Sequence, residues 1–239
     1  NNPRLLREQM IKGNRKGHPA RKPWARTTVN KGIHQVCAMF RWAASHEMLS
    51  VAIHTQLKTV AALRKGQSAA SENDPVQPVP MEVVEATKPH LNRQVKALVE
   101  LQLLTGARGG ELLKLRTIDI RKDDPGKVWT IRPLDNKTAH HGHDRTLFLG
   151  PKAQLVIQPF ITGRPPEDYL FSPAEAERER RAAACRKRKS PVVGGNRPGT
   201  NRTENPKRQP GDHYSSAAYR HAIKCACVKA GVPRWHPHQ

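Results

Sequence analysis

The sequence is poor in acid, in aromatic side chains and in long apolar runs. Twenty Asp and Glu stand against 42 Lys and Arg, leaving a formal charge of +22. Such a chain repels itself and attracts polyanions, and nucleic acid is the usual partner for that balance. Charge alone leaves ribosome association and an unstructured basic tail open. Aromatics make up 5% of residues and hydrophobics 36%. A core is affordable within 239 residues, but much of the chain must be surface. No run of eighteen apolar residues occurs, so no membrane-spanning helix and no membrane partner are expected. No basic-then-apolar signal segment leads the chain. The four cysteines do not pair as metal or redox ligands: Cys225 and Cys227 form Cys-x-Cys, Cys37 falls on an apolar helix face, and Cys185 lies in a basic run. They read as reduced thiols of a cytoplasmic protein.

The periodicities predict a mainly helical chain with a small three-stranded antiparallel sheet. Leu5–Ile11 reads as the end of a helix. Thr27–His46 is the best-patterned one, with Val29, Ile33, Val36, Cys37, Phe40 and Ala44 on one face and Thr27, Lys31, His34 and Arg41 on the other. A third helix is expected over Ala52–Arg64. Residues 1–70 thus form a helical domain. Residues 71–80, with prolines at 75, 78 and 80, form a linker, and residues 81–239 form a second domain. In that domain, helices are expected over Met81–Lys88, Arg93–Thr105, Gly109–Leu115, Pro151–Phe160 and Ser215–Ala230. Strands are expected at Ile118–Arg121, Val128–Arg132 and Arg145–Leu149, with a turn at Asp124-Pro125-Gly126 and a polar hairpin over Asp135–Asp144. Residues 174–212 begin as a charged helix and then become basic and breaker-rich; this reads as an insertion, much of it disordered without a polyanion.

The informative string is Leu103-Leu104-Thr105-Gly106-Ala107-Arg108-Gly109-Gly110-Glu111-Leu112-Leu113-Lys114-Leu115. A helix ends in Thr-Gly, an arginine follows, and a new helix carries a glutamate three residues on. Glycines free the turn. A guanidinium at its mouth can grip two phosphate oxygens at once. Glu111 is placed to brace Arg108 or the second helix. Alone, an Arg after Gly is usually a surface arginine; the full string is far more specific.

Thr-Gly-x-Arg-x-x-Glu-Leu-x-x-Leu, followed by Ile118-Asp119-Ile120, resembles the first catalytic box of the tyrosine recombinases, the phage-integrase family. Trp129-Thr130-Ile131, Asn136-Lys137-Thr138 and Arg145-Thr146-Leu147-Phe148-Leu149 are similar to that family's three-stranded sheet, whose hairpin carries a catalytic lysine; Lys137 matches it. Trp235-His236-Pro237-His238-Gln239 resembles the start of its His-x-x-Arg box, with His238 matching the histidine and His236 its rival. Phe40-Arg41-Trp42-Ala43 is similar to a common pattern of the family's helical core-binding domain. The resemblance covers nearly the whole chain except the basic insertion after Phe171. It implies a SAM-like core-binding domain followed by an α+β catalytic domain, with the matching second arginine and the nucleophilic tyrosine expected beyond Gln239.

The resemblance implies a DNA strand-exchange enzyme. A tyrosine attacks phosphorus, the 5′-hydroxyl leaves, and a 3′-phosphotyrosyl bond conserves the energy. Arg108 would stabilise charge on the non-bridging oxygens, Lys137 would protonate the leaving oxygen, and His238 would bond the phosphate or help move the tyrosine proton. Glu111 is expected to support this set. Arg26, Lys31, His34, Arg41 and Arg145 are expected to contact DNA. Double-stranded DNA is the expected partner, with a homo-tetramer on DNA, a nucleoid location, no small-molecule substrate and no cofactor. The histidines at 140, 141 and 143 lack suitably spaced acidic or cysteine partners, so no metal is expected. Tyr169, Tyr214 and Tyr219 precede the histidine box and are poor nucleophiles. Two other readings stay open: a type IB topoisomerase-like enzyme with the same catalytic kit, and a basic DNA-binding module without catalysis.

Overall fold

The computed structural model describes residues 3–12, 23–122, 128–132, 145–191 and 209–239. It is mainly helical with one small antiparallel sheet, and the chain divides into two compact units, Asn1–Val76 and Gln77–Gln239. The expected Asp124-Pro125-Gly126 turn, the whole 135–144 hairpin and the centre of the basic insertion lie outside the described residues. Among the described residues, no helix is long and apolar enough to cross a membrane.

In the first unit, α1 (Pro3–Lys12), α2 (Arg26–Ser45) and α3 (Val51–Lys58) pack together. The apolar stripe of α2 buries Val29 and Ile33, while Thr27, Lys31, His34 and Arg41 stay exposed, as the spacing requires. Gly32 marks the crossing with α1, because a Cβ there would meet Met10 Cε at 3.3 Å. Ser50 caps α3 by accepting the Ala52 N–H.

The helix expected to reach Arg64 stops at Lys58. A long-range partner explains the difference. Asn30 donates from Nδ2 to the Leu63 carbonyl at 3.0 Å and accepts the Leu63 N–H at 2.8 Å. An amide offering both a donor and an acceptor satisfies Leu63 as a neighbouring strand would, so the backbone there leaves the helix without losing its bonds.

Residues 71 and 72, expected to begin a linker, belong to this fold. Ser71 bridges Ala25, its carbonyl accepts the Arg26 N–H at 2.9 Å, and Glu72 pairs with Arg26 Nε at 2.6 Å. Arg26 also donates to the Leu63 carbonyl. The guanidinium is largely shielded and ties residues 71 and 72 to the start of α2.

The second unit runs α4 (Met81–Thr87), a 3-10 turn at Lys88–His90, α5 (Arg93–Thr105), α6 (Gly109–Leu113), a 3-10 turn at Thr117–Asp119, β1 (Ile120–Arg121), β2 (Trp129–Ile131), β3 (Leu147–Leu149), α7 (Pro151–Ile161), α8 (Pro173–Arg186) and α9 (Ser216–Ala230). The strands pair antiparallel in the order β1-β2-β3, with Ile120 opposite Ile131 and Ile131 opposite Leu147. The first is shorter than expected because Thr117–Asp119 turns as a 3-10 helix and the Asp119 carboxylate accepts the Arg116 N–H.

Val95, Leu98 and Leu101 of α5 lie at the centre of the core, packed among Leu112, Leu149, Ile157 and Phe171. Leu103 and Leu104, in the last turn of the same helix, are exposed. Asn92 caps α5 through the Val95 N–H, and Gly106 ends it in the left-handed region at φ +63°. Gly231 ends α9 the same way at φ +67°.

The first part of the 174–212 stretch is the charged helix that the sequence predicts. It is not a free insertion: α8 continues to Arg186, buries Ala176 and is held to the body by ion pairs. Each acid that fastens it sits one turn from the next, a pattern that a count of basic residues hides.

Candidate active site

The left-handed Gly106 turns the chain out of α5 and presents Arg108 at the start of α6. Glu111 closes the turn: its Oε2 accepts the Arg108 backbone N–H at 2.9 Å. This is the acceptor half of a capping box; arginine cannot supply the other half. Gly109 is buried against Tyr219, where a Cβ would lie 3.6 Å from the ring. A Cβ there would make ordinary van der Waals contact with the ring, so the joint between α6 and α9 is close but has room for a methyl group.

Glu111 does more than cap. Its side chain is 7% exposed, and its Oε1 lies 3.0 Å from Arg145 Nε and 3.8 Å from Arg108 Nη1. The Arg145 contact is an ion pair rather than an aligned hydrogen bond. Two guanidinium groups thus converge on one carboxylate oxygen, and their near nitrogens can be no farther apart than those two distances together. A buried carboxylate pays a large desolvation cost unless cations and donors surround it. One carboxylate leaves the pair with net positive charge, and the Arg108 side chain is 51% exposed, so it can still meet an external anion.

Arg108 opens onto a cleft of about 440 Å³ that is also lined by Gln102, Tyr219, Trp235, His236, Pro237, His238 and Gln239. The His-Pro-His segment is fastened there from two sides. Trp235 is buried and donates from Nε1 to Thr87 Oγ1 at 3.2 Å. Gln102 donates from Nε2 to the Pro237 carbonyl at 2.5 Å and accepts the Tyr219 hydroxyl at 3.1 Å. One glutamine therefore joins α5, α9 and the histidine segment. Burial pushes the Tyr219 phenol well above its usual range, and its proton is committed to Gln102. Burial also raises the Tyr214 phenol.

The structure thus brings together Arg108, Glu111 and Arg145 around one carboxylate, and Arg108 with His238 along one cleft. His236 lines it too, so the geometry does not separate the two histidines. Lys137 lies outside the described residues. Lys31, His34 and Arg41 share one exposed face of α2 in the other unit; His34 and Arg41 border a groove with Arg7, His54 and Lys58. Sequence reasoning missed Gln102, although an amide set in the apolar run Leu101-Gln102-Leu103 was a visible signal. It also missed that Arg145 shares Glu111 with Arg108, which only the three-dimensional path of the chain reveals.

No protein-family model, curated protein or solved structure matches the chain.

Proposed function

We propose that this chain belongs to a tyrosine-type site-specific DNA recombinase, in which a core-binding unit and a catalytic unit engage duplex DNA and the Arg108 cleft receives the scissile phosphate. The observation that carries the reading is the convergence of Arg108 and Arg145 on the buried Glu111, with Arg108 also lining a cleft that holds His236 and His238. A phosphate in flight to five-coordination gains charge on its non-bridging oxygens. Cations held in advance stabilise that charge without reorganising. Arg108 is the exposed cation of the pair; Arg145, held against Glu111, fixes its neighbour's position. A histidine donates to the same phosphate or passes a proton. Lys137 serves as general acid to the leaving 5′-oxygen, and the nucleophile is a tyrosine other than these three: Tyr214 and Tyr219 are buried, and Tyr169 packs on His213 and does not line the cleft.

The second reading is DNA binding without cleavage. The commitment of the Tyr219 hydroxyl to Gln102 favours it for the residues at hand. One experiment separates the two. In a protein whose sequence runs on through a downstream tyrosine, Arg108→Ala should leave duplex binding within a few-fold of the parent and abolish covalent capture of a nicked suicide duplex. Capture at the parental rate in Arg108→Ala contradicts the recombinase reading. Binding without capture in the parent supports the non-catalytic one.

A further inference from the structure

We infer that the outward face of α8 is a separate docking surface for the phosphate backbone of duplex DNA, an inference that rests on the reading of DNA as this chain's polyanion. None of its residues lines the Arg108 cleft.

The helix sorts its charges. Glu175 and Glu179, one turn apart, face the body of the unit. Glu175 pairs with Arg164 at 2.7 Å and accepts from Gln94 at 3.1 Å. Glu179 takes two hydrogen bonds from Arg93, whose guanidinium also lies 4.3 Å over the Phe160 ring. Ala176 is buried between these anchors. The first two turns are therefore fixed, and the helix cannot swing its far end freely.

The other face carries Arg178, Arg180 and Arg181, and the end of the helix adds Arg186, Lys187, Arg188 and Lys189. Arg178 is 77% exposed and its Nη2 lies 4.0 Å from Glu175 Oε1, a loose pair. The acid on that face is Glu177, which binds Arg180 at 2.7 Å and Arg181 at 2.6 Å. Among the described residues, no carboxylate pairs with Arg186, Lys187, Arg188 or Lys189. A helix of 14 residues is about 21 Å long, and a DNA strand offers a charge about every 3.4 Å of axis, so several phosphates lie within reach.

The chemistry of the face selects the partner. Beside Glu177, its cations are separated by alanines and Cys185, with no aromatic or large aliphatic anchor. Protein interfaces draw their energy from such anchors; a phosphate backbone needs only forked cations. Glu177 then acts as a built-in counter-charge that partly masks two arginines.

The test uses the 239-residue chain and a short fluorescent duplex of arbitrary sequence, with affinity read by anisotropy between about 50 and 200 mM salt. Exchanging Arg178, Arg181 and Lys187 together for Gln should lower the slope of log affinity against log salt by about 2 to 3. It should also weaken binding at least about tenfold at the lower salt. Glu177→Gln should do the reverse and tighten binding several-fold. Because it removes no cation, it keeps the test informative if the triple variant unfolds. An unchanged slope in a triple variant of parental helicity overturns the inference, as does unchanged affinity in Glu177→Gln. A parent that does not bind the duplex overturns the DNA reading itself. Polyglutamate competing as well as the duplex, charge for charge, would assign the face to an acidic protein and overturn its assignment to DNA.

Discussion

Replacing Glu111 with Gln tests the site's electrostatic arrangement with almost no change of shape. The amide oxygen can still accept the Arg108 N–H, so the turn keeps its cap. What disappears is the charge that faces two guanidinium groups at 3.0 and 3.8 Å. Removing one partner of a fully buried ion pair costs about 3–5 kcal/mol. Here the carboxylate is buried but the Arg108 and Arg145 side chains are 51% and 32% exposed, and water screens them. A loss of about 1–3 kcal/mol is the expected result. For a unit of this size that lowers the melting temperature by roughly 3–10 °C. The assay is thermal unfolding of the second unit's transition, run as a double-mutant cycle with Arg145→Met. The arginine substitution should cost less in the Gln background than in the parent. Added sulfate should restore part of the variant's stability, because a divalent anion can stand between the two cations. Melting within a degree of the parent, or fully additive effects of the two substitutions, would refute the shared-carboxylate arrangement.

Gln102→Leu keeps the helix but deletes the bond to the Pro237 carbonyl and the one from the Tyr219 hydroxyl; faster amide exchange over residues 235–239, with an intact core, is the expected outcome, and Gln102→Glu, which cannot donate to the Pro237 carbonyl, should not restore protection. Arg26→Met should destabilise the first unit by about 1–2 kcal/mol, following loss of a charged hydrogen bond, while leaving duplex affinity and its salt slope unchanged, read by chemical denaturation and anisotropy. Acid should loosen α8 late. The Arg180 hydrogen bond holds Glu177 down to about 2, and Glu175, though pushed up by burial, is brought below its usual value by Arg164. Carboxylates depressed in the folded state stabilise it above the ordinary pKa and lose that contribution as pH falls through the folded one. Helicity should therefore decline between about pH 4.5 and 2, and Glu177→Gln should flatten that part of the profile, as followed by circular dichroism.

Local chemistry was legible in the sequence wherever neighbours along the chain decide the outcome. Asn92 and Ser215 start helices, Gly106 and Gly231 end them in the left-handed region, and the stripe on α2 faces inward as its spacing requires. Thr105 to Glu111 announced a turn that presents an arginine, and the chain folds that way. Where a distant partner decides, the sequence was silent. The helix beginning at Val51 ends early because Asn30 captures Leu63, and Arg26 turns inward because Glu72 lies beside it. Arg145 reaches Glu111 only once the sheet has carried it there. The basic stretch after Phe171 hid its anchors, since Glu175 and Glu179 find Arg164 and Arg93 through packing rather than spacing.

In the proposed reaction Arg108 and the histidine segment act on one anion in one cleft. Inorganic phosphate titrated into this chain, with the Arg108 Nε–H and the Cε1–H signals of His236 and His238 followed by NMR, tests it most directly. The arginine signal and at least one of the two histidine signals should move along a single saturable isotherm, and the arginine shift should vanish in Arg108→Ala. Independent isotherms, or histidines that ignore phosphate while the arginine responds, would contradict a shared site.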